Sequence, residues 1–392
     1  MDFDPTPTQR DLIARAAAVA RESLAPRAAT YDQTGAYPWE SWHDLWAQGF
    51  LAAAVPTEYG GMGLDMPSYI LVLEQLAQGC TNTTMTLHMH SVVQMYLGVL
   101  ATSAQKARFY PEVVEGGKLF GSWGSEPDRR GGASVGGTII APLDGGYVID
   151  GEKHFCTMAG AAHRCMVHCA MQGLASPQNL QVALLPHDHP GLKITGEWDT
   201  LGMRATVSPS VTLASCEVPP DDLLGTPGES LRSGVGLAFG LGYAAVYVGI
   251  AQRALDFTID FCKTHHFEPD PAPRAYDPLV QHHVAEMTMA LEGARLVLYQ
   301  SACRWQTAPV VQRAVLAARA KYVATTAALM ITSKAVQVVG GRSAHRRYPL
   351  ERLLRDVRTA TLMPPNVDRS MELIGKAMLD VTDEALLARH AG

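Results

Sequence analysis

Apolar residues recur every three to four positions from about residue 7 to 117. They then recur every second position to about 217, and from about 226 return to the helical period. Thr8 to Arg21 is one amphipathic stretch, with Thr8 or Thr6 placed to cap it. Pro38 to Trp46 starts a second helix with proline near its first turn. Met66–Gln78, Thr83–Leu100 and Ser103–Val114 give three more. In the middle, Gly145-Gly146 followed by Tyr147 to Gly151 reads as a hairpin, and 164–171, 181–186 and 210–218 read as strands. Four long helices follow, over 229–264, 275–307, 309–340 and 366–389. The pattern predicts an α+β chain: an all-α N-terminal domain (1–118), a small antiparallel β domain (119–225) and a C-terminal four-helix bundle (226–392). Glu268 to Pro278, with four prolines, is the segment least committed to structure.

Composition narrows the function. The net charge is −6, with 32 Lys and Arg against 38 Asp and Glu, and no basic run offers a nucleic-acid surface. Met1 to Pro7 is acidic and shows no secretory pattern. No uncharged apolar stretch of about 18 residues stands out as a membrane span; Val235 to Ile250 comes nearest and reads as a buried helix. Seven scattered cysteines fit reduced thiols in a cytoplasm. His163, Cys165, His168 and Cys169 do not share one strand face, so no metal site is expected.

Six motifs in order carry a resemblance. Pro56 to Leu64, Ser125-Glu-Pro127, Asp150 to Thr157, Leu201 to Thr206, Gly249 to Asp256, and Gln337 to Gly341 with Tyr348-Pro and Arg355-Asp356 together resemble the acyl-CoA dehydrogenase superfamily over nearly the whole chain. The resemblance implies FAD, a small-molecule substrate such as an acyl-CoA, and hydride transfer to flavin N5. It implies a homo-oligomer, dimer or tetramer, and an electron-transfer flavoprotein as possible acceptor. It places Thr157, by hydroxyl or amide, at flavin N5 and Phe155 against the ring, with Ser125, Trp123 and Gly131 beside the flavin. Phe267 falls at the adenine end, and Gln337, Gly340 and Gly341 face a pyrophosphate held by a neighbouring subunit.

The chain departs from that pattern at its chemistry. Counting from Arg355-Asp356, the family's catalytic Glu position falls on Pro364, which has neither carboxylate nor N–H. The alternative position falls near Phe239. Asp128 to Gly132 replaces the usual flavin loop with Arg129 and Arg130, and the family's arginine before Phe267 is Thr264, next to Lys263. The replacement candidates are Asp368 and Glu372, at i and i+4 after an Asn366 cap, and His88, with His90 two positions on. Each has an ordinary alternative: carboxylates complementing a helix N-terminus, and a hydrogen-bonded helix histidine. A flavin monooxygenase and a flavin-binding protein without turnover are the competing functions.

Overall fold

The computed structural model describes residues 4–127, 136–269 and 271–381. Helix α1 (Pro7–Val19) is capped by Thr6, which exchanges side-chain hydrogen bonds with Gln9 in a capping box. One π turn, Ala20–Leu24, joins it to α2 (Ala25–Thr34). Helices α3 (Trp39–Ala47), α4 (Met66–Gly79), α5 (Thr81–Leu100) and α6 (Ser103–Val114) complete the first part.

Helix α5 is the axis of the molecule. Every residue from Thr81 to Gln94 is buried, although many are polar. Most of these polar groups find partners inside, as burial demands. Thr84 donates to Cys80 O, and Thr86 accepts from Trp42 Nε1. Asn82 joins three parts of the chain: its Nδ2 donates to Asp356 Oδ2 at 3.0 Å, and its Oδ1 accepts from Ala205 N at 3.0 Å. The other Asp356 oxygen accepts from Met203 N at 2.6 Å.

The middle sheet runs β1 (Phe120–Trp123), β2 (Ile139–Leu143), β3 (Gly146–Lys153), β4 (Arg164–Met171), β5 (Leu180–Pro186), β6 (Leu192–Thr195), β7 (Ser210–Val218) and β8 (Leu223–Leu224) in sequence. Its spatial order is β6-β7-β3-β2-β4-β5-β8, with β1 also on β4. It is mixed rather than purely antiparallel. β1 pairs in parallel with the first half of β4, and β2 in parallel with its last two residues. Both parallel partners reach β4 through long connections, as such pairs require. Their short apolar runs lack an alternating pattern, which hid them in the sequence.

The remaining helices are α7 (Glu229–Ser233), α8 (Ala238–Thr264), α9 (Pro278–Trp305), α10 (Val310–Val339), α11 (Leu350–Ala360) and α12 (Val367–Met378). The single helix expected over 229–264 is interrupted at Gly234, which adopts φ 67°. Helix α11 was not anticipated. Two stretches, Val235–Thr264 and Val310–Ala344, are long and apolar enough to cross a membrane. Shares of 78% and 56% of their most apolar windows are buried within the chain, as for core helices of a bundle.

Candidate active site

Strand β1 ends at Trp123, and the next four residues build one wall of the site. Glu126 is buried and its carboxylate is saturated. Oε2 accepts from Gly136 N and Gly137 N at 3.2 and 2.9 Å, and Oε1 from Thr138 N at 2.9 Å and from Lys153 Nζ at 2.9 Å. Lys153 closes β3 and is fully buried. Burial alone would raise the Glu126 pKa, but the Lys153 ammonium and the glycine amides outweigh it and hold the group down to about 2. The ion pair therefore pins Pro127 and Gly136 from both sides. Sequence reasoning missed it, although Glu126 and Lys153 lie inside two of the quoted motifs.

Past Lys153 the chain turns sharply. His154 N donates to Ser125 O at 2.9 Å. Phe155 takes φ 56°, uncommon for a bulky residue, and leaves its ring 65% exposed, edge-on to Trp198 at 6.2 Å. A large apolar ring held outward by strained backbone is available to a ligand and not part of the core. Thr157 follows, buried. Its amide is spent on Phe155 O at 2.9 Å, which leaves the hydroxyl as the group able to serve a ligand. Ser208 Oγ donates to Thr157 Oγ1 at 3.1 Å and itself contacts Thr206 Oγ1 at 3.0 Å. Thr157 Oγ1 thus accepts from behind, and its own proton has no acceptor among the described residues. Trp123 Nε1 donates to Thr157 O at 3.1 Å, so Trp123 positions Thr157 and has no free donor of its own. Ser125 is half-buried, and its hydroxyl makes no hydrogen bond among the described residues. Gly131, with Arg129 and Arg130, lies outside the described residues.

His88 is fully buried in α5. Phe239 O is an acceptor only, so Nε2 carries the proton and donates to it at 3.1 Å. Nδ1 then accepts from Tyr69 Oη at 2.9 Å. Burial pushes the His88 pKa down to about 4, so the ring is neutral at pH 7. His90 is satisfied in the same way, between Leu51 O and Phe120 N. Around His88 stand Phe239 at 6.0 Å and Tyr243 at 5.3 Å between ring centroids. Lys321, which the sequence did not single out, is also buried. Its ammonium donates to Met363 O and Pro365 O and lies 5.5 Å over the Tyr243 ring. Burial lowers its pKa to about 7.

Those two carbonyls flank Pro364. Lys321 thus ties this loop down from beneath, and Pro364 itself is exposed. Asn366 caps α12 as expected, accepting from Arg369 N at 3.0 Å. Asp368 is exposed in its first turn. Glu372 is exposed between Arg369 and Lys376, the latter at 3.0 Å, and the Lys376 and Arg369 hydrogen bonds lower its pKa. The structure therefore does not gather Asp368, Glu372 and His88 into one constellation: His88 is internal and the carboxylates are on the surface.

A second cluster lies at the ends of α8 and α10. Gly340 takes φ 75° after α10, a conformation that favours glycine, with Gln337 and Gly341 exposed beside it. Phe267 lies close by, with Arg274 and Arg342 against its ring.

The arrangement matches known proteins throughout. Residues 6–117 match the family described as acyl-CoA dehydrogenase, N-terminal domain; residues 122–216 match the middle domain and 241–363 the C-terminal domain. The short-chain specific acyl-CoA dehydrogenase of Megasphaera elsdenii is 30% identical over 97% of this chain and 100% of its own. This chain belongs to the acyl-CoA dehydrogenase family. Its fold follows that of butyryl-CoA dehydrogenase from the same organism, with a TM-score of 0.89 and 28% identity over 97% of this chain and 100% of that one. A dibenzothiophene monooxygenase from Paenibacillus sp. A11-2, solved with FMN and indole, shares the acyl-CoA dehydrogenase fold too. It is 28% identical, with a TM-score of 0.86 over 95% of this chain and 98% of that one.

Proposed function

We propose that this chain is an FAD-dependent oxidoreductase that oxidises an acyl thioester or a related substrate. The observation that carries the reading is Thr157: a buried hydroxyl, supported by Ser208 and Trp123, with its proton unclaimed among the described residues, beside the outward ring of Phe155. Such a group fits a flavin, which needs a fixed donor at N5 and an apolar ring surface. Phe155, Thr157 and Ser125 would hold the isoalloxazine. Phe267, Gln337, Gly340 and Gly341 would hold the dinucleotide of a neighbouring subunit, which makes the chain a homo-oligomer, dimer or tetramer. Bound there, FAD would supply hydride acceptance at N5.

The chain's own residues divide the remaining work. The Glu126–Lys153 pair fixes the strand ends that carry Ser125 and Thr157. His88, Phe239 and Tyr243 line the apolar side between α5 and α8 and exclude water from it. Of the three candidate bases, His88 is the internal one; Asp368 and Glu372 would need a neighbouring subunit to bring them to a substrate. An electron-transfer flavoprotein is the proposed acceptor, and a cytoplasmic setting fits the free thiols.

One observation favours a second reading, a flavin monooxygenase. The loop at Pro364 offers no carboxylate, and Lys321 holds its carbonyls inward, so removal of a substrate α-proton would fall to His88, whose two ring nitrogens are already engaged by Phe239 O and Tyr69 Oη. Anaerobic titration of the FAD-loaded protein with a panel of acyl-CoA thioesters separates the two. Bleaching of the flavin absorbance by any thioester is expected for the dehydrogenase. A silent panel, with oxygen consumption only when reduced flavin is supplied, would overturn it in favour of oxygenation.

A further inference from the structure

Helix α5 starts inside the molecule without a side-chain cap. Cys80 holds the N-cap position, and the amides of Thr81 and Asn82 have no acceptor among the described residues. Both residues are buried, so bulk water does not serve those amides. A pocket of about 40 Å³ lies against this turn. Gly79, Cys80 and Thr81 are among the residues that line it, with Arg253 of α8 and Arg352 of α11. One water needs only about 10–15 Å³, so the space admits a small polyatomic ion.

The groups around the pocket share one preference. The Thr81 side chain is 3% exposed, and its hydroxyl has no hydrogen-bond partner. Arg253 and Arg352 are half-buried, and neither makes a hydrogen bond or an ion pair among the described residues. Asp356 follows Arg352 by one turn of α11, but its two oxygens are taken by Met203 N and Asn82 Nδ2. The lining therefore carries two positive charges and no negative one. A helix N-terminus adds partial positive charge at the same place. Two like charges in a half-buried space repel each other until an anion joins them. The volume excludes a nucleotide or a peptide and suits a free ion.

We propose that Thr81, Arg253, Arg352 and the first amides of α5 bind a small inorganic oxyanion of the phosphate class. The paired guanidiniums and the helix N-terminus suit its charge, and the Thr81 hydroxyl donates to one of its oxygens. The ion would tie the start of α5 to α8 and α11, beside the Asn82–Asp356 contact, and so stabilise the junction of the two helical halves. None of these groups is among those proposed to hold the flavin.

Calorimetric titration of the full-length protein with inorganic phosphate, beside thermal unfolding in phosphate at constant ionic strength, tests the site. The wild type is expected to bind one phosphate per chain and to gain Tm as phosphate rises. Phosphate also stabilises proteins by exclusion from their surfaces, so the variants supply the reference. Arg253→Gln and Arg352→Gln are each expected to weaken binding about tenfold. Thr81→Val keeps the shape of the side chain and removes a hydroxyl that has no partner to lose. Without phosphate it is expected to melt no lower than the wild type, and with phosphate to gain less. It carries the test should an arginine variant fail to fold. An equal phosphate response in the wild type and Thr81→Val overturns the proposal, and so does a Thr81→Val protein that melts lower before any phosphate is added. Acetate binding more tightly than phosphate overturns the inorganic assignment and points to a carboxylate group of another chain.

Discussion

Single side chains at this site act mainly by holding others still. Glu126 and Lys153 illustrate the energetics. Both are buried, and each satisfies the other, so removing one leaves an uncompensated charge and costs about 3–5 kcal/mol. Glu126→Gln is expected to lower stability by that amount at pH 7 in urea melts. The pH dependence has a definite sign. The Glu126 pKa lies near 2 in the folded chain, below its ordinary value of 4.5, so its contribution is complete above 4.5 and drains away as pH falls toward 2. The gap between wild type and Glu126→Gln should therefore narrow over that interval. A gap independent of pH would mean that the carboxylate is not what stabilises this wall. Little of this was legible from a single sequence. The pair is 27 positions apart, and an opposite charge at such a distance gives no signal until the fold sets the end of β3 beside the segment after β1. Thr157 and Phe155 could be named as candidates because they sit in a compact motif. Their strained backbone and the supporting Ser208 were not.

Helix packing explains why the interior beside His88 is so closely filled. At Gly242 on α8, an added Cβ would lie 2.0 to 2.4 Å from three atoms of the His88 imidazole on α5. Gly242→Ala is thus expected to displace His88 or separate the helices, at about 1–3 kcal/mol. Thermal unfolding would measure the loss; an alanine variant as stable as wild type would contradict this packing. Phe239, Tyr243 and Tyr247 recur at i, i+4 and i+8 along α8 and stack in sequence, with ring planes 28° and 16° apart. The helical period was plain in the sequence, so α4 to α6, α9 and α10 emerged close to their observed limits, and α8 at its C-terminal end. Helix α11 did not. Its run from Leu350 to Ala360 sets Leu350, Leu353, Leu354, Val357 and Ala360 at helical spacing between three arginines and two acids, so the period was there to read and was passed over in a run taken only for its motif; tertiary contacts such as Arg355 with Asp32 at 2.6 Å hold it in place. The short parallel strands escaped for a different reason: their apolar runs do not alternate.

At the scale of the molecule, the order helix, sheet, helix was enough to fix the architecture, because a β unit between two apolar helical halves has few ways to bury both. The polar seam that joins them was not foreseen: Asn82, Asp356, Met203 and Ala205 link α5, the sheet region and α11 around one buried carboxylate. The same organisation sets the proposed flavin wall, Ser125 to Thr157, where the sheet meets the helices. It leaves the Phe267 ledge, with Gln337 and Gly341, on an outer face. The most direct measurement is the visible spectrum of the purified protein after incubation with FAD and removal of the excess. The account predicts a two-band flavin spectrum that stays with the protein at about one per chain, and a changed spectrum in Ser208→Ala, where the Thr157 hydroxyl loses its support. A protein that emerges colourless, with Ser208→Ala indistinguishable from wild type, would contradict it.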